Sequence, residues 1–257
     1  GGNTDGNVEV FVYEVGSGQI IQATDTVGGG GYGPAVISDD GARIAAVYFS
    51  TTWEIQLIDY PSLAVTPLYN SPLRQLTIDL TASGDQVVSS SGDDLVPGRN
   101  ADGNGEVFLV DPAGNFEQVT DTMTGGSGQA SISADGRYIA FTSTSELSVP
   151  AGGNGQIILA DRALGTFTSI LPGVQGSSQP SISADGQRIA FTSREDPVGD
   201  NPPHDEELLL AECTLLGEPA VAIPAHSTFG LLLLAGLLLA VAVWRLRRSV
   251  VPSPPMA

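Results

Sequence analysis

The chain contains no lysine. Its ten basic residues are all arginine, set against 29 Asp and Glu. Three of those arginines (Arg245, Arg247 and Arg248) stand together near the C-terminus, and every acid precedes them, so residues 1–244 hold seven arginines, 29 carboxylates and a net charge of −22. Binding to a phosphate backbone rests on Lys and Arg, so this surface excludes nucleic acid as a partner. It is compatible with cations, basic partners or neutral ligands. Cysteine occurs once, at Cys213, which excludes an intrachain disulfide. With one Cys and two His, a zinc site of the Cys/His type is excluded as well. The run LLLAEC ending at Cys213 is no lipoprotein box, because Glu212 stands where a small residue is needed and the position is far from the N-terminus. Aromatics are 6% of the chain, while Gly (32) and Pro (17) are plentiful. That mixture excludes a long-helix architecture for most of the chain and favours many short strands joined by turns.

What is present is a repeat. SISADGRYIAFTS (131–143) returns as SISADGQRIAFTS (181–193), and looser copies are VISDDGARIAAVY around Gly41 and DLTASGDQVVSSS around Gly84. A second motif alternates with the first: DGNVEVFVYEVGSGQIIQATDT (5–26) matches DGNGEVFLVDPAGNFEQVTDT (102–122). Weaker copies lie at 152–171 and 53–68, and a last one begins at 205. Gly41, Gly84, Gly136 and Gly186 read as tight hairpin corners. Between corners, Ile139 and Phe141 point one way and Tyr138, Ala140 and Thr142 the other, so this strand is expected between two apolar layers. Four strands per unit at about 40–50 residues is the pattern of a propeller blade.

These residues resemble the TolB-type β-propeller repeat. SISADGRYIAFTS followed by DGNGEVFLVD carries the likeness, and DDLVPGRNADGNGEVFLVD (93–111) is similar to exported bacterial members. The resemblance covers residues 5–212 and implies a propeller without implying a ligand. The expected fold is therefore all-β, with four-stranded antiparallel blades at 34–70, 76–120 and 129–171 and partial blades at 1–27 and 180–214. Three whole blades and two partial ones leave an open sheet face and strand edges, so upstream blades are expected; the sequence opens on GGNTDGNVEVFVYE without an initiator Met or a signal peptide. The alternative is a small ring in which the N-terminal half-blade completes the C-terminal one.

After a linker at 213–222, residues 223–248 form the other informative stretch. Phe229 to Trp244 is a run of 16 residues without a charge, about 24 Å as a helix against a hydrocarbon core of about 30 Å. Thr228 and a snorkelling Arg245 extend its reach, and Trp244 suits the interface. The arginines beside it place the C-terminus in the cytoplasm and the acidic propeller outside. The stretch also resembles the IPTL-CTERM sorting signal. Ile223, Pro224, Ser227, Gly230 and Leu231 match in order, and Arg247 with Arg248 match the basic end, while Ala225, His226 and Phe229 depart from the pattern. That resemblance implies export from a Gram-negative cell, insertion in the inner membrane and handling by an exosortase-like peptidase. Residues 249–257 are Pro-rich and expected to be a disordered tail.

No G-x-S-x-G elbow occurs, and TVGGGGYG (26–33) lacks the Lys and Ser/Thr of a phosphate loop. Carboxylate pairs are too common in so acidic a chain to nominate a glycosidase. One pattern points to calcium: Asn100, Asp102 and Asn104 at alternate positions, Gly105 in sixth place and Asp111 in twelfth, with an echo at Asn3, Asp5 and Asn7. An Asp/Asn-capped turn explains the same letters. The expected function is a non-enzymatic binding or scaffold module with a protein or glycan partner, membrane-anchored at the envelope. The alternatives are an envelope enzyme acting on glycans through rim carboxylates, or a calcium-stabilised surface structural protein.

Overall fold

The computed structural model describes residues 3–72, 77–145, 147, 155–172, 174–195, 205–213 and the backbone of 245–247. Its elements are all strands. A two-stranded sheet pairs β1 (Phe11–Glu14) with β2 (Gln19–Gln22). Four antiparallel sheets follow. The first contains β3 (Gly31–Ile37), β4 (Arg43–Phe49), β5 (Trp53–Asp59) and β6 (Ala64–Ser71). The next contains β7 (Ile78–Leu80), β8 (Val87–Ser91), β9 (Glu106–Val110) and β10 (Phe116–Gln118). Then come β11 (Ser127–Ile132), β12 (Tyr138–Ser143), β13 (Gln156–Asp161) and β14 (Thr166–Ser169). The last sheet contains β15 (Ser177–Ile182), β16 (Arg188–Ser193), β17 (Glu207–Glu212) and β18 (Arg245–Arg247). Within each sheet the strands pair antiparallel in sequence order, an up-and-down meander.

All four expected corner glycines have left-handed backbones, with φ of 70° at Gly41, 65° at Gly84, 72° at Gly136 and 70° at Gly186. A side chain fixes each corner. The hydroxyls of Ser38, Ser133 and Ser183 donate to Asp40, Asp135 and Asp185 at 2.6, 2.7 and 2.5 Å, and Thr81 donates to Asp85 at 2.5 Å. The hydroxyl bond is the largest cause holding each of these carboxyls below the usual range, and backbone N–H groups add to it.

The corners also join one sheet to the next. The N–H of Asp39 donates to the carbonyl of Ala82 (3.0 Å), Ala82 to Ala134 (3.0 Å) and Ala134 to Ala184 (3.0 Å). Sheets pack face to face around four apolar clusters, one at each junction. At one junction Ile139 and Phe141 meet Val88, Val107 and Leu109. From the opposite face of β12, Tyr138 and Ala140 meet Ile189, Phe191 and Leu209. The expected two-layer burial of this strand is what the structure shows. Phe108, Phe141 and Phe191 are each at most 1% exposed, and each such burial contributes about 1.5–3 kcal/mol.

Two details differ from the sequence reading. The half-blade at the N-terminus does not complete the last sheet; among the described residues it packs only on the sheet that follows it, through Val10, Val12 and Ala23. The last sheet takes its fourth strand from Arg245–Arg247, in register with Leu210, Ala211 and Glu212. This segment follows the expected helix, Phe229–Trp244, and pairs where the open edge of β17 presents backbone groups that an extended segment can satisfy. The expected helix itself, residues 223–228 and Arg248 lie outside the described residues. Among the described residues no helix is long and apolar enough to cross a membrane.

Candidate functional site

The first strands of the four meanders, β3, β7, β11 and β15, contact one another from sheet to sheet and so line the propeller axis. A bulge interrupts the pairing of β11 after Gly128 and of β15 after Ser178. In each bulge a glutamine is left-handed, Gln129 at φ 52° and Gln179 at φ 55°. That conformation costs a non-glycine residue about 1–2 kcal/mol, so something must hold it. For Gln129 the holding bonds are visible: its Oε1 accepts from Thr142 Oγ1 at 3.0 Å and from the N–H of Gln179 at 3.1 Å. A second link runs beside it. Asp79 accepts from Ser131 Oγ (2.8 Å) and the N–H of Ile132 (3.0 Å), and Ser131 Oγ accepts from the N–H of Ile182 (3.2 Å).

These strands border a cavity of about 360 Å³ whose lining includes Pro34, Val36, Asp79, Gln129, Ser131 and Gln179. Carboxamide, hydroxyl and carboxylate groups on a rigid apolar frame suit hydrogen bonding to a polar ligand. A separate cleft of about 600 Å³ lies between the third and fourth meanders, lined in part by Thr142, Ser178, Arg194, Glu195 and Glu206.

The predicted calcium residues fall in a different place and are not all brought together. Asn100 is 2% exposed, and its amide nitrogen donates to the carbonyls of Asp93 (3.3 Å) and Asn104 (3.0 Å). Asn104 in turn donates to the carbonyl and hydroxyl of Thr122 at 2.5 and 3.2 Å. Their Oδ1 atoms are buried without a hydrogen-bond partner, so Asn100 and Asn104 each have one ligand atom to offer. Asp102 is exposed on the turn between them. Asp111 does not belong to this group. It follows the five-residue strand β9, about 17 Å long, and accepts instead from the N–H groups of Ala113 and Asn115 at 2.9 Å each. A twelve-residue calcium loop needs its middle to fold back, whereas here the middle is a sheet strand. Among the described residues no group of three or more His, Cys, Asp and Glu could hold a metal.

The sequence reading missed the carboxylate behind these asparagines. Glu106 is fully buried and accepts from Thr120 Oγ1, from the N–H of Thr122 (2.7 Å) and from Thr122 Oγ1 (2.5 Å). Glu9 makes the same bonds with Thr24 and Thr26, and Asn7 donates to Thr26 as Asn104 does to Thr122. Burial is the largest single influence on Glu9 and pushes its pKa up, but the Thr24, Thr26 and Asn7 bonds together outweigh it and hold the carboxyl below the usual range. The signal was in the letters common to both copies, Asn-x-Glu followed by Thr-Asp-Thr. Cys213 is buried in the apolar junction, and burial pushes its thiol up to about 12, so it is a packing residue. Ile223, Pro224, Ser227, Gly230, Leu231 and Arg248 lie outside the described residues, and of Arg247 only the backbone is described.

No family model matches the chain, and no curated protein matches it. Solved structures do. TolB from Acinetobacter baumannii superposes with a TM-score of 0.57 at 18% identity, over 82% of this chain and 48% of that one. The fold is a TolB-like β-propeller. An oligogalacturonate lyase in complex with manganese matches with a TM-score of 0.55 at 12% identity, over 79% of this chain and 56% of that one. A puromycin-hydrolyzing peptidase of Mycobacterium tuberculosis matches at 0.54 and 11% identity, over 75% of this chain and 29% of that one. The chain spans about half the length of the TolB and of the lyase it matches and less than a third of the peptidase, and identities this low show the fold alone.

Proposed function

We propose that this TolB-like propeller is a binding or scaffold module held at the bacterial envelope. The axial cavity supports the binding half of this reading. It sets acceptors and donors from three successive sheets, Asp79, Gln129 with Ser131, and Gln179, around one space. Inter-sheet hydrogen bonds order its frame before any ligand arrives, so little ordering entropy opposes binding. A polar, neutral or cationic ligand fits a chain of net charge −22 over residues 1–244, and the chemical classes are a glycan or a protein segment. Binding by the whole protein to a glycan array and to envelope proteins tests this, with Gln179→Ala as the cavity variant.

The envelope half rests on the sequence of 223–248. There the apolar run, the IPTL-CTERM-like letters and the arginines fit an inner-membrane anchor, an outside propeller and processing by an exosortase-like peptidase. Carbonate extraction of membranes separates an anchored from a released product, and loss of membrane association on deleting 229–244 is the expected result. The calcium reading continues in a reduced form, with Asn100, Asp102 and Asn104 as its residues. The glycan-enzyme reading has one observation in its favour, the shared cleft of Glu195 and Glu206; turnover of a glycan lost in Glu195→Gln or Glu206→Gln would establish it.

A further inference from the structure

We propose that the loop between β8 and β9 encloses a site for one monovalent alkali cation, held by the side-chain oxygens of Asn100, Asn104 and Gln118. The site shares two residues with the calcium reading and rests, as that reading does, on their oxygens being ligands; it differs in the ion and in the third residue. Asn100 is 2% exposed and Gln118 is 8% exposed. Oδ1 of Asn100, Oδ1 of Asn104 and Oε1 of Gln118 are all buried, and among the described residues none has a hydrogen-bond partner. The amide nitrogens fix which atom of each group is the oxygen. Asn100 donates to the Asn104 carbonyl at 3.0 Å, Asn104 to the Thr122 carbonyl at 2.5 Å, and Gln118 to the carbonyl of Arg99, next to Asn100, at 3.2 Å. Three carboxamides are thus tied to one turn by their nitrogens, with their oxygens left over. The turn is ordered by its own bonds: Asp94 accepts from the N–H groups of Gly98 (2.7 Å), Arg99 (3.1 Å) and Asn100 (3.1 Å).

The repeat supplies a comparison. Asn3 and Asn7 precede the two-stranded sheet as Asn100 and Asn104 precede β9, and Asn3 donates to the Asn7 carbonyl in the same way. There, however, Asn3 Oδ1 accepts from the N–H of Gly6 at 3.1 Å, so the side chain closes its own turn. At the second copy the Gly103 N–H goes to the backbone carbonyl of Asn100 at 3.3 Å, and the side-chain oxygen is released. Gln22 stands at the register position of Gln118 and is only half-buried. The first copy therefore leaves over the Asn7 oxygen, and the second leaves over three.

Chemistry selects the ion. One water donates two protons and leaves a third oxygen unsatisfied, whereas a cation satisfies all three at once. The three ligands are neutral. They suit an ion whose hydration shell carbonyl-type oxygens can replace, as they do for potassium, better than calcium, whose affinity is tuned by ligand charge. A positive charge here also has a counterpart. Glu106 is fully buried, its donors are neutral threonine groups, and the Thr122 hydroxyl joins it to Asn104. The arginine of the loop, Arg99, is turned outward to Asp121 at 3.0 Å. A buried carboxylate is costly without compensation, and a cation on Asn104 supplies it.

Thermal unfolding of the whole protein at one ionic strength, in potassium chloride, sodium chloride or N-methylglucamine chloride, tests this. Potassium is expected to raise the melting temperature saturably over N-methylglucamine, by about 3–6 °C once the ion is about tenfold above its dissociation constant. A rise shared by sodium supports the same class of ion. Asp102→Ala is expected to keep the rise. Gln118→Ser installs the residue that the third meander has at the matching register position, Ser169, and is expected to need roughly tenfold more potassium. A rubidium-soaked crystal of the wild type gives a reading independent of any variant: an anomalous peak in contact with all three oxygens supports the site, and water there instead overturns it. Equal melting temperatures in the three salts overturn it too, as does a potassium response unchanged in Gln118→Ser. A rise given by calcium alone and lost in Asp102→Ala overturns it in favour of the calcium reading, whereas a response to potassium without one to calcium removes calcium and keeps this site.

Discussion

Gly186→Ala is the substitution that separates the two jobs of a corner glycine. Its φ of 70° is left-handed, and an added Cβ overlaps Cδ2 of the Tyr138 ring, with Cγ and Cε2 at 3.1 Å. The backbone part costs about 1–2 kcal/mol. Overpacking a fixed ring at a junction costs a further 1–3 kcal/mol or so. Gly41 provides the comparison, since its φ is also 70° but nothing lies within 4 Å of its added Cβ. Gly41→Ala is therefore expected to cost about 1–2 kcal/mol and Gly186→Ala about 2–5 kcal/mol. With a urea slope of about 2 kcal/mol per M, the difference is a midpoint shift of roughly 0.5–1.5 M between the variants. Urea titration followed by intrinsic fluorescence reads it. Tyr138→Ala in the Gly186→Ala background should recover the overlap part, giving a coupling of about 1–3 kcal/mol in a double-mutant cycle. Equal midpoints for Gly41→Ala and Gly186→Ala, or a coupling near zero, would refute the idea that the corner glycine of one sheet is required by the ring of its neighbour.

Other outcomes follow from the same contacts. Glu106→Gln leaves one amide oxygen where a carboxylate accepts three bonds, and is expected to lower stability by about 1–3 kcal/mol in a denaturant titration; Gln156, which accepts from Ser169 Oγ at 3.3 Å, shows that the fold tolerates an amide at the matching position. Asp40, Asp85, Asp135 and Asp185 have carboxyls held below 3.8 in the folded protein. The unfolded chain binds more protons as pH falls through 3.8, so their contribution is present above that pH and lost as pH falls through the lower folded values. A melting temperature that stays flat from pH 5 to pH 2.5 contradicts this. If the 100–104 turn holds calcium, millimolar calcium raises the melting temperature of the wild type and of Asp111→Ala but not of Asp102→Ala; a wild type without any rise removes calcium from the account.

The blades were legible because their signals are local. A glycine two residues before an apolar alternation fixes a hairpin, and Ile139, Phe141, Tyr138 and Ala140 declare two buried faces by period alone. The links between blades were not legible in the same way. The corner ladder from Asp39 to Ala184 joins residues some 50 positions apart, and only the packed register brings them together. Gln129 carries no letter that announces a left-handed backbone; the bond to Gln179 that holds it exists only once two sheets are docked. The asparagines and Asp111, read together from the sequence, part company in the fold for a chemical reason. Asn100 and Asn104 have the oxygens of a calcium loop, but in the fold their amide nitrogens tie one loop down, and a strand carries Asp111 away. Of the axial cavity, the sequence showed the strands that line it and not the cavity, because its walls come from four repeats at once.

The most direct test of the binding account is a saturation measurement with the whole protein on a glycan or protein ligand taken from the array and envelope screens, followed by recovery of the ligand. The expected result is saturable binding that weakens at least tenfold in Gln179→Ala, with the ligand recovered unchanged. A ligand that is turned over by the protein, with turnover lost in Glu195→Gln or Glu206→Gln and binding indifferent to residue 179, would contradict it.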